Sequence, residues 1–153
     1  MQLSPAPYEE RLSVPRSWCL ACLLVGMSMT LAVLPIGPLA MLIGLVGGTA
    51  AAAAMISSYG SPRIRVVGGF LIAGDAKVPV SALGKAEVLD RDEARAWRTY
   101  RADARAFLLL RAYIPTALRV EVADPAEPTP YLYLSTREPQ QLADALSAAQ
   151  ARA

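Results

Sequence analysis

Residues 17–62 read SWCLACLLVGMSMTLAVLPIGPLAMLIGLVGGTAAAAAMISSYGSP, 46 positions without one Asp, Glu, Lys or Arg. A helix that crosses a bilayer needs ~20 apolar residues, so a tract of this length predicts two crossings and a short connection. The Pro35-Ile36-Gly37-Pro38 run supplies the break, since proline and glycine punctuate helical patterns. The spans are expected at Ser17 to Leu34 and Leu39 to Ile56. The fold class that follows is a membrane α-helical hairpin over residues 17–60. It separates an N-terminal segment, 1–16, from a small α+β domain over 61–153.

Flanking charge gives the hairpin an orientation. Arg11 and Arg16 precede the first span, Arg63 and Arg65 follow the second, and the connection carries no charge. Positive residues stay on the cytoplasmic side, so both termini are expected there, in a multi-pass protein of the cell membrane. Trp18 and Tyr59 then fall at the same interface, where amphipathic aromatic rings settle, and these six residues form the expected lipid contact. A cleaved signal peptide is the competing reading of the first span; the second apolar segment and the lack of a small-x-small site near Leu34 argue against it.

Small residues recur every four positions in both spans: Cys22, Gly26 and Thr30 in the first, Ala40, Gly44, Gly48 and Ala52 in the second. Such faces let helix backbones approach closely. Either the two faces pack on each other within one hairpin, or Gly44-x-x-x-Gly48 drives homodimerisation. Cys19-x-x-Cys22 imitates a redox or metal pair, but no second Cys or His pair exists to complete a zinc site or relay electrons. Two inert thiols are expected, with no cofactor and no metal. Neither span contains an ionisable group, so an ion or proton path has no residue to carry it.

After Pro62, short bursts rich in Val, Leu, Ile and Tyr alternate with Gly, Pro and Asp, the pattern of consecutive antiparallel strands. Four to six strands are expected among Ile64–Val67, Phe70–Ala73, Lys77–Val80, Ala86–Leu89, Ala106–Tyr113, Leu118–Val122 and Tyr131–Ser135. Gly68-Gly69 and Gly74-Asp75 supply turns, and Asp124 to Pro130 is a proline-laden loop. A closing helix begins near Glu138-Pro139, with Leu142, Ala145, Leu146 and Ala149 on the face that covers the sheet.

Asp90 to Arg105 has no Gly or Pro and predicts a second soluble helix, with Arg91, Arg95, Arg98, Arg101 and Arg105 on one side. That stripe would rest on anionic head groups or a protein partner. Alternatively it is a solvated face whose Arg residues pair with Asp92 and Asp103 while Trp97 and Tyr100 pack on the sheet.

The chain has 153 residues, a net charge of +2 and no histidine. The residues after Pro62 are also only +2 (13 Lys+Arg, 11 Asp+Glu), which excludes bulk attraction to nucleic acid. Without histidine the commonest general base and zinc ligand are both missing. Isolated carboxylates such as Asp75, Glu87 and Glu121 lack the paired geometry of acid-base catalysis, so no enzymatic activity is expected.

Tyr8-Glu9-Glu10-Arg11-Leu12 with Val14-Pro15-Arg16, Val78-Pro79, Ala82-Leu83, Phe107 to Arg111, Asp124-Pro125, Pro128-Thr129-Pro130-Tyr131 and Ser135-Thr136-Arg137 with Pro139 and Leu142 together resemble a family of small actinobacterial membrane proteins of unknown function. The resemblance spans almost the whole chain. The soluble half also looks like bacterial PH-like domains, in which a turn from Gly into a strand is followed by an Ile/Val-Pro step and the fold ends in Ser-Thr-Arg-x-Pro-x-x-Leu and a helix. That likeness implies a bent antiparallel sheet or barrel capped by a C-terminal helix, a scaffold that elsewhere binds lipids or peptides; it names no ligand. The expected function is a membrane-anchored, non-enzymatic binding or scaffold module whose partners are the lipid bilayer and a protein or second copy. Two alternatives stand beside it: a structural subunit packing through the second span, and a thiol-redox protein.

Overall fold

The computed structural model describes residues 8–59 and 62–153. Residues 8–12 join 62–153 in one compact unit, and residues 13–59 form the other. The sequence alone sets 1–16 apart as a leading segment, whereas Tyr8–Arg11 is a strand of the larger, sheet-bearing unit. The helical hairpin is therefore inserted in the connection between that unit's first two strands. Residues 1–7, 60 and 61, which include the start of the expected N-terminal segment and the junction after the second span, lie outside the described residues.

In the hairpin unit, α1 runs Trp18–Ala32 and α2 Pro38–Tyr59. The 22 residues of α2 span about 33 Å, enough for a hydrocarbon core of about 30 Å. The 15 residues of α1 reach only about 22 Å, so among the described residues one helix, not two, is long and apolar enough to cross by itself. Tight turns lengthen the shorter rod: Trp18 and Cys19 amides bond back to Pro15 and Arg16 carbonyls, and Leu34–Ile36 forms a 3₁₀ turn. Pro35 explains why the α-helix gives way there, because it lacks an amide and disfavours helical geometry at Leu34. Gly37, at φ 128°, reverses the chain in a conformation that side chains oppose, and Pro38 opens α2 at its first turn.

The soluble unit holds two four-stranded sheets. In the first, β1 (Tyr8–Arg11), β2 (Arg63–Val67), β3 (Phe70–Ala73) and β4 (Ala76–Pro79) form an antiparallel meander in that order. Gly68 and Gly69, both at positive φ, close the two-residue β2–β3 turn whose twist matches the strands it joins. The second sheet has the order β5-β7-β8-β6, from β5 (Leu83–Leu89), β6 (Phe107–Leu109), β7 (Ala117–Val122) and β8 (Tyr131–Ser135). It is antiparallel apart from β6, which runs parallel to β8. Eight strands thus form among the described residues where four to six are expected: all seven candidate segments pair, and Tyr8–Arg11, which carries three charged residues and no sheet-like alternation of its own, adds the eighth.

Alternation in the strands builds one core between the sheets. Ile64, Val66, Leu71 and Ala73 of the first sheet meet Leu118, Val120, Leu132 and Leu134 of the second. The closing helix α4 (Pro139–Gln150) adds Leu142, Ala143 and Leu146. Its far end is pinned by the Gln150 amide, which donates to the carbonyls of Leu83 and Gly84 where β5 bulges. All five residues of β8 are buried, because the outer face of its sheet is covered too. A second core there joins Leu89, Ala117, Tyr131 and Tyr133 to Ala94 and Trp97 of α3 (Arg91–Arg98).

Candidate functional site

Close backbone contact holds the two hairpin helices together. A side chain at Gly26 would collide with the Thr49 hydroxyl and stand 2.9 Å from the Leu45 carbonyl. At Gly44 a Cβ would lie 3.2 Å from the Met29 carbonyl, and at Gly48 3.2 Å from the Gly26 Cα. Gly44-x-x-x-Gly48 therefore faces α1, and a second molecule could use that face only by displacing it. Cys22 is buried in the same unit, Cys19 is exposed, and both are free thiols. The Thr30 hydroxyl donates to the Gly26 carbonyl at 2.9 Å, which satisfies a polar group inside the helix. Ala40 and Ala52 of α2 are half-buried, whereas Gly47 meets open space.

The outward face of the first sheet carries the strand-borne members of the expected lipid contact. Pairing sets Arg11 opposite Arg63 and Glu9 opposite Arg65. Glu9 accepts from Arg65 at 2.8 Å and lies 3.6 Å from Arg63. The Arg65 hydrogen bond, followed by the charges of Arg65, Arg63 and Arg11, holds the Glu9 carboxyl below its usual range. Arg63 and Arg65 thus share one carboxylate, and both side chains stay partly exposed. Lys77 stands on the same face with Nζ 4.4 Å from the Phe70 ring centre. Arg16 is exposed in the turn that leads into α1, Trp18 opens that helix half-buried, and Tyr59 ends α2 exposed.

The arginine stripe does not survive folding. Asp90 caps α3 by accepting from the Asp92 and Glu93 amides, both at 2.9 Å, and the helix then stops at Arg98 instead of Arg105. Thr99 leaves helical geometry at φ −118°, ψ −102° while its hydroxyl bonds the Arg95 carbonyl. Beyond it, the Asp103 amide donates to the Tyr131 hydroxyl at 2.9 Å, drawing the chain onto the second sheet. Arg91, Arg95 and Arg98 stay on the helix; Arg101 lies over Trp97 and Tyr100, and Arg105 pairs with Asp103 at 3.1 Å.

Two polar arrangements were not anticipated. Arg119, with a side chain only 14% exposed, bridges Glu87 at 3.3 Å and Glu121 at 2.9 Å and lies 4.3 Å from the Trp97 ring centre. Its alternation with Leu118 and Val120 was the available sign that Arg119 and Glu121 share a face. Glu10 accepts from the Tyr8 hydroxyl, the Thr136 hydroxyl and the Arg137 amide. Burial and the neighbouring Glu10 carboxylate raise the Tyr8 hydroxyl far above its ordinary value, against the opposing Thr136 hydrogen bond. This latch fastens β1 to the loop before α4 across 126 positions, so no local pattern announces it.

Among the concavities of the soluble unit, two are edged by β1–β4. A groove of about 580 Å³ runs between Tyr8, Val66 and Gly68 on one side and Ala145 and Ala149 of α4, with Arg152 just beyond it, on the other. A cleft of about 310 Å³ lies between β4 and the 124–129 loop, with Lys77, Asp124 and Glu127 at its rim and Phe107 and Leu132 below. Among the described residues no group of three or more His, Cys, Asp or Glu gathers to hold a metal.

No curated protein and no solved structure matches the chain. A family model described as "Protein of unknown function (DUF3093)" matches residues 7–146, which takes in both units and every strand of the soluble one. The chain belongs to this DUF3093 family of proteins of unknown function.

Proposed function

We propose that this protein is a membrane-anchored, non-enzymatic binding or scaffold module at the inner face of the cell membrane. The observation that carries the reading is the surface of the hairpin. Fifteen large apolar side chains from Leu20 to Met55 are exposed, the least at 40% and the most at 75%; the described soluble unit exposes four, Val67, Phe70, Val88 and Tyr100. Full burial of such a side chain is worth about 2 kcal/mol, so leaving fifteen half in water forfeits on the order of 15 kcal/mol. That equals the whole stability of an ordinary domain of roughly 5–15 kcal/mol. Lipid removes the cost. None of the apolar window of α2 is buried within the protein, unlike the core helix of a soluble fold. With its added turns, α1 makes a second crossing beside it, tilted or with local thinning of the bilayer.

Charge supports the orientation: Arg11, Arg16, Arg63 and Arg65 flank the hairpin and the Pro35–Pro38 connection has none, which favours cytoplasmic termini. The soluble unit is read as PH-like on its two stacked sheets and capping C-terminal helix, with the parallel β6 and the cover of α3 as departures. Binding rather than catalysis is supported by carboxylates already engaged by arginine: Glu9 by Arg65, and Glu87 and Glu121 by Arg119. The test is affinity capture of the full chain from membranes in mild detergent, with bound lipids and proteins identified. The reading expects extraction only with detergent and co-purification of a recurring partner or lipid class. Recovery from the aqueous fraction, or repeated capture without partner or lipid dependence, would count against it.

A further inference from the structure

The outward face of the first sheet carries two features that the fold itself does not require. Arg11, Arg63, Arg65 and Lys77 all point outward there, and Glu9 is the one acid among the outward strand residues. Counting Asp75 in the β3–β4 turn as well leaves an excess of +2 (4 cations, 2 acids). Beside these cations, Val67 and Phe70 flank the Gly68-Gly69 turn with 46% and 37% exposure. They are half of the large apolar side chains that the described soluble unit exposes.

We propose that this face docks on an anionic phospholipid surface, with Arg11, Arg63, Arg65 and Lys77 over the head groups and the Val67–Phe70 turn dipping between them. The inference rests on the membrane reading of the hairpin and deepens it by naming the ligand class. Cations beside an apolar tip match a surface that is anionic above and greasy below, where each basic residue raises affinity roughly fivefold. Lys77 over the Phe70 ring holds a charge and an apolar anchor side by side. In sequence, β1 ends at Arg11 and β2 begins at Arg63, on either side of the hairpin. Such tethering raises the effective concentration of the face at the bilayer, so a contact too weak to recruit a free domain is populated here. Glu9 neutralises part of the charge, which predicts a contact that salt readily weakens.

The experiment places an environment-sensitive fluorophore at Phe70→Cys in the full chain, with C19A and C22A, in nanodiscs of phosphatidylcholine with or without phosphatidylglycerol. The expected result is a blue-shifted emission, quenched by lipids labelled near the head group, in the anionic discs alone. High salt, at about 0.5 M, should abolish it, as should R11Q with K77Q; a control label at Val88→Cys should not respond. The same emission in both compositions would overturn the proposal while leaving the anchor intact. So would a shift that appears only when cytosolic protein is added, which would mark an acidic protein as the occupant. Failure of the chain to enter nanodiscs at all would overturn the anchor and this inference together.

Discussion

Replacing Glu10 with Ala tests whether the strand before the hairpin is an integral part of the soluble domain. The carboxylate accepts from the Tyr8 hydroxyl at 3.0 Å, from the Arg137 amide at 2.9 Å and from the Thr136 hydroxyl, and Thr136 is fully buried. A hydrogen bond to a charged acceptor contributes about 1.5–3 kcal/mol, and a buried donor left without a partner costs about 1–3 kcal/mol. Glu10 is itself half-buried, so the lower end applies, and the exposed Arg137 amide regains water; the bonds from Tyr8 and Thr136 together are worth about 3 kcal/mol. Glu10→Gln keeps one acceptor oxygen but turns an amide donor towards a donor, and should lose about 2 kcal/mol. For a chain of this size 3 kcal/mol corresponds to a melting shift of roughly 10 °C. The assay is denaturant unfolding of the full chain in detergent, followed by fluorescence, with Glu10→Ala, Thr136→Val and the double variant. The account expects the order Glu10→Ala, then Glu10→Gln, then wild type, and a coupling of about 1–2 kcal/mol between Glu10 and Thr136. A Glu10→Ala protein that unfolds with the wild type, or strictly additive effects, would refute the latch.

Gly26→Ala should push the hairpin helices apart at the Leu45 carbonyl and destabilise their association by about 1–3 kcal/mol, whereas Gly47→Ala, which meets open space, should be neutral or slightly stabilising; helix separation under graded denaturing detergent would compare them. Asp90→Ala removes the acceptor for two amides at the start of α3 and should cost about 1 kcal/mol, read in the same unfolding assay, with Asp90→Asn losing less. Burial raises the Tyr133 hydroxyl above its ordinary value, as it does Tyr8, so in strong base the unfolded chain gives up these protons before the folded one does. Stability should hold below about pH 10 and fall as pH rises further; Tyr133→Phe, which also loses the 3.0 Å bond to the Ala94 carbonyl, should start lower and fall less steeply.

Much of the fold is legible because it follows from local periodicity. The Gly68-Gly69 turn and the amphipathic Leu142–Ala149 face each carry their signal within a dozen residues, and the uncharged tract of residues 17–62 is one unbroken run. The edges that resisted are set by distant contacts. Nothing near Thr99 terminates a helix by composition; the stop comes from the Tyr131 hydroxyl and from a sheet that α3 must cover. Tyr8–Arg11 becomes a strand only because β2 offers it a partner across the inserted hairpin. The interface glycines were visible as a four-residue repeat, but which neighbour they meet depended on where α1 lies. The charged faces were legible as composition and not as pairing: Glu9 quiets Arg65, and Glu87 and Glu121 enclose Arg119, through register that only the folded sheets define.

The account turns on a hairpin that lies in lipid with its apex across the bilayer from both chain ends. Cysteine accessibility in intact cells tests it most directly, with single cysteines at Ile36 in the connection and at Glu127 in the loop before β8, in a C19A, C22A background. The prediction is labelling of Ile36→Cys by a membrane-impermeant maleimide from outside, and of Glu127→Cys only after the membrane is opened. Labelling of both from the same side, or release of the protein by alkaline carbonate, would contradict it.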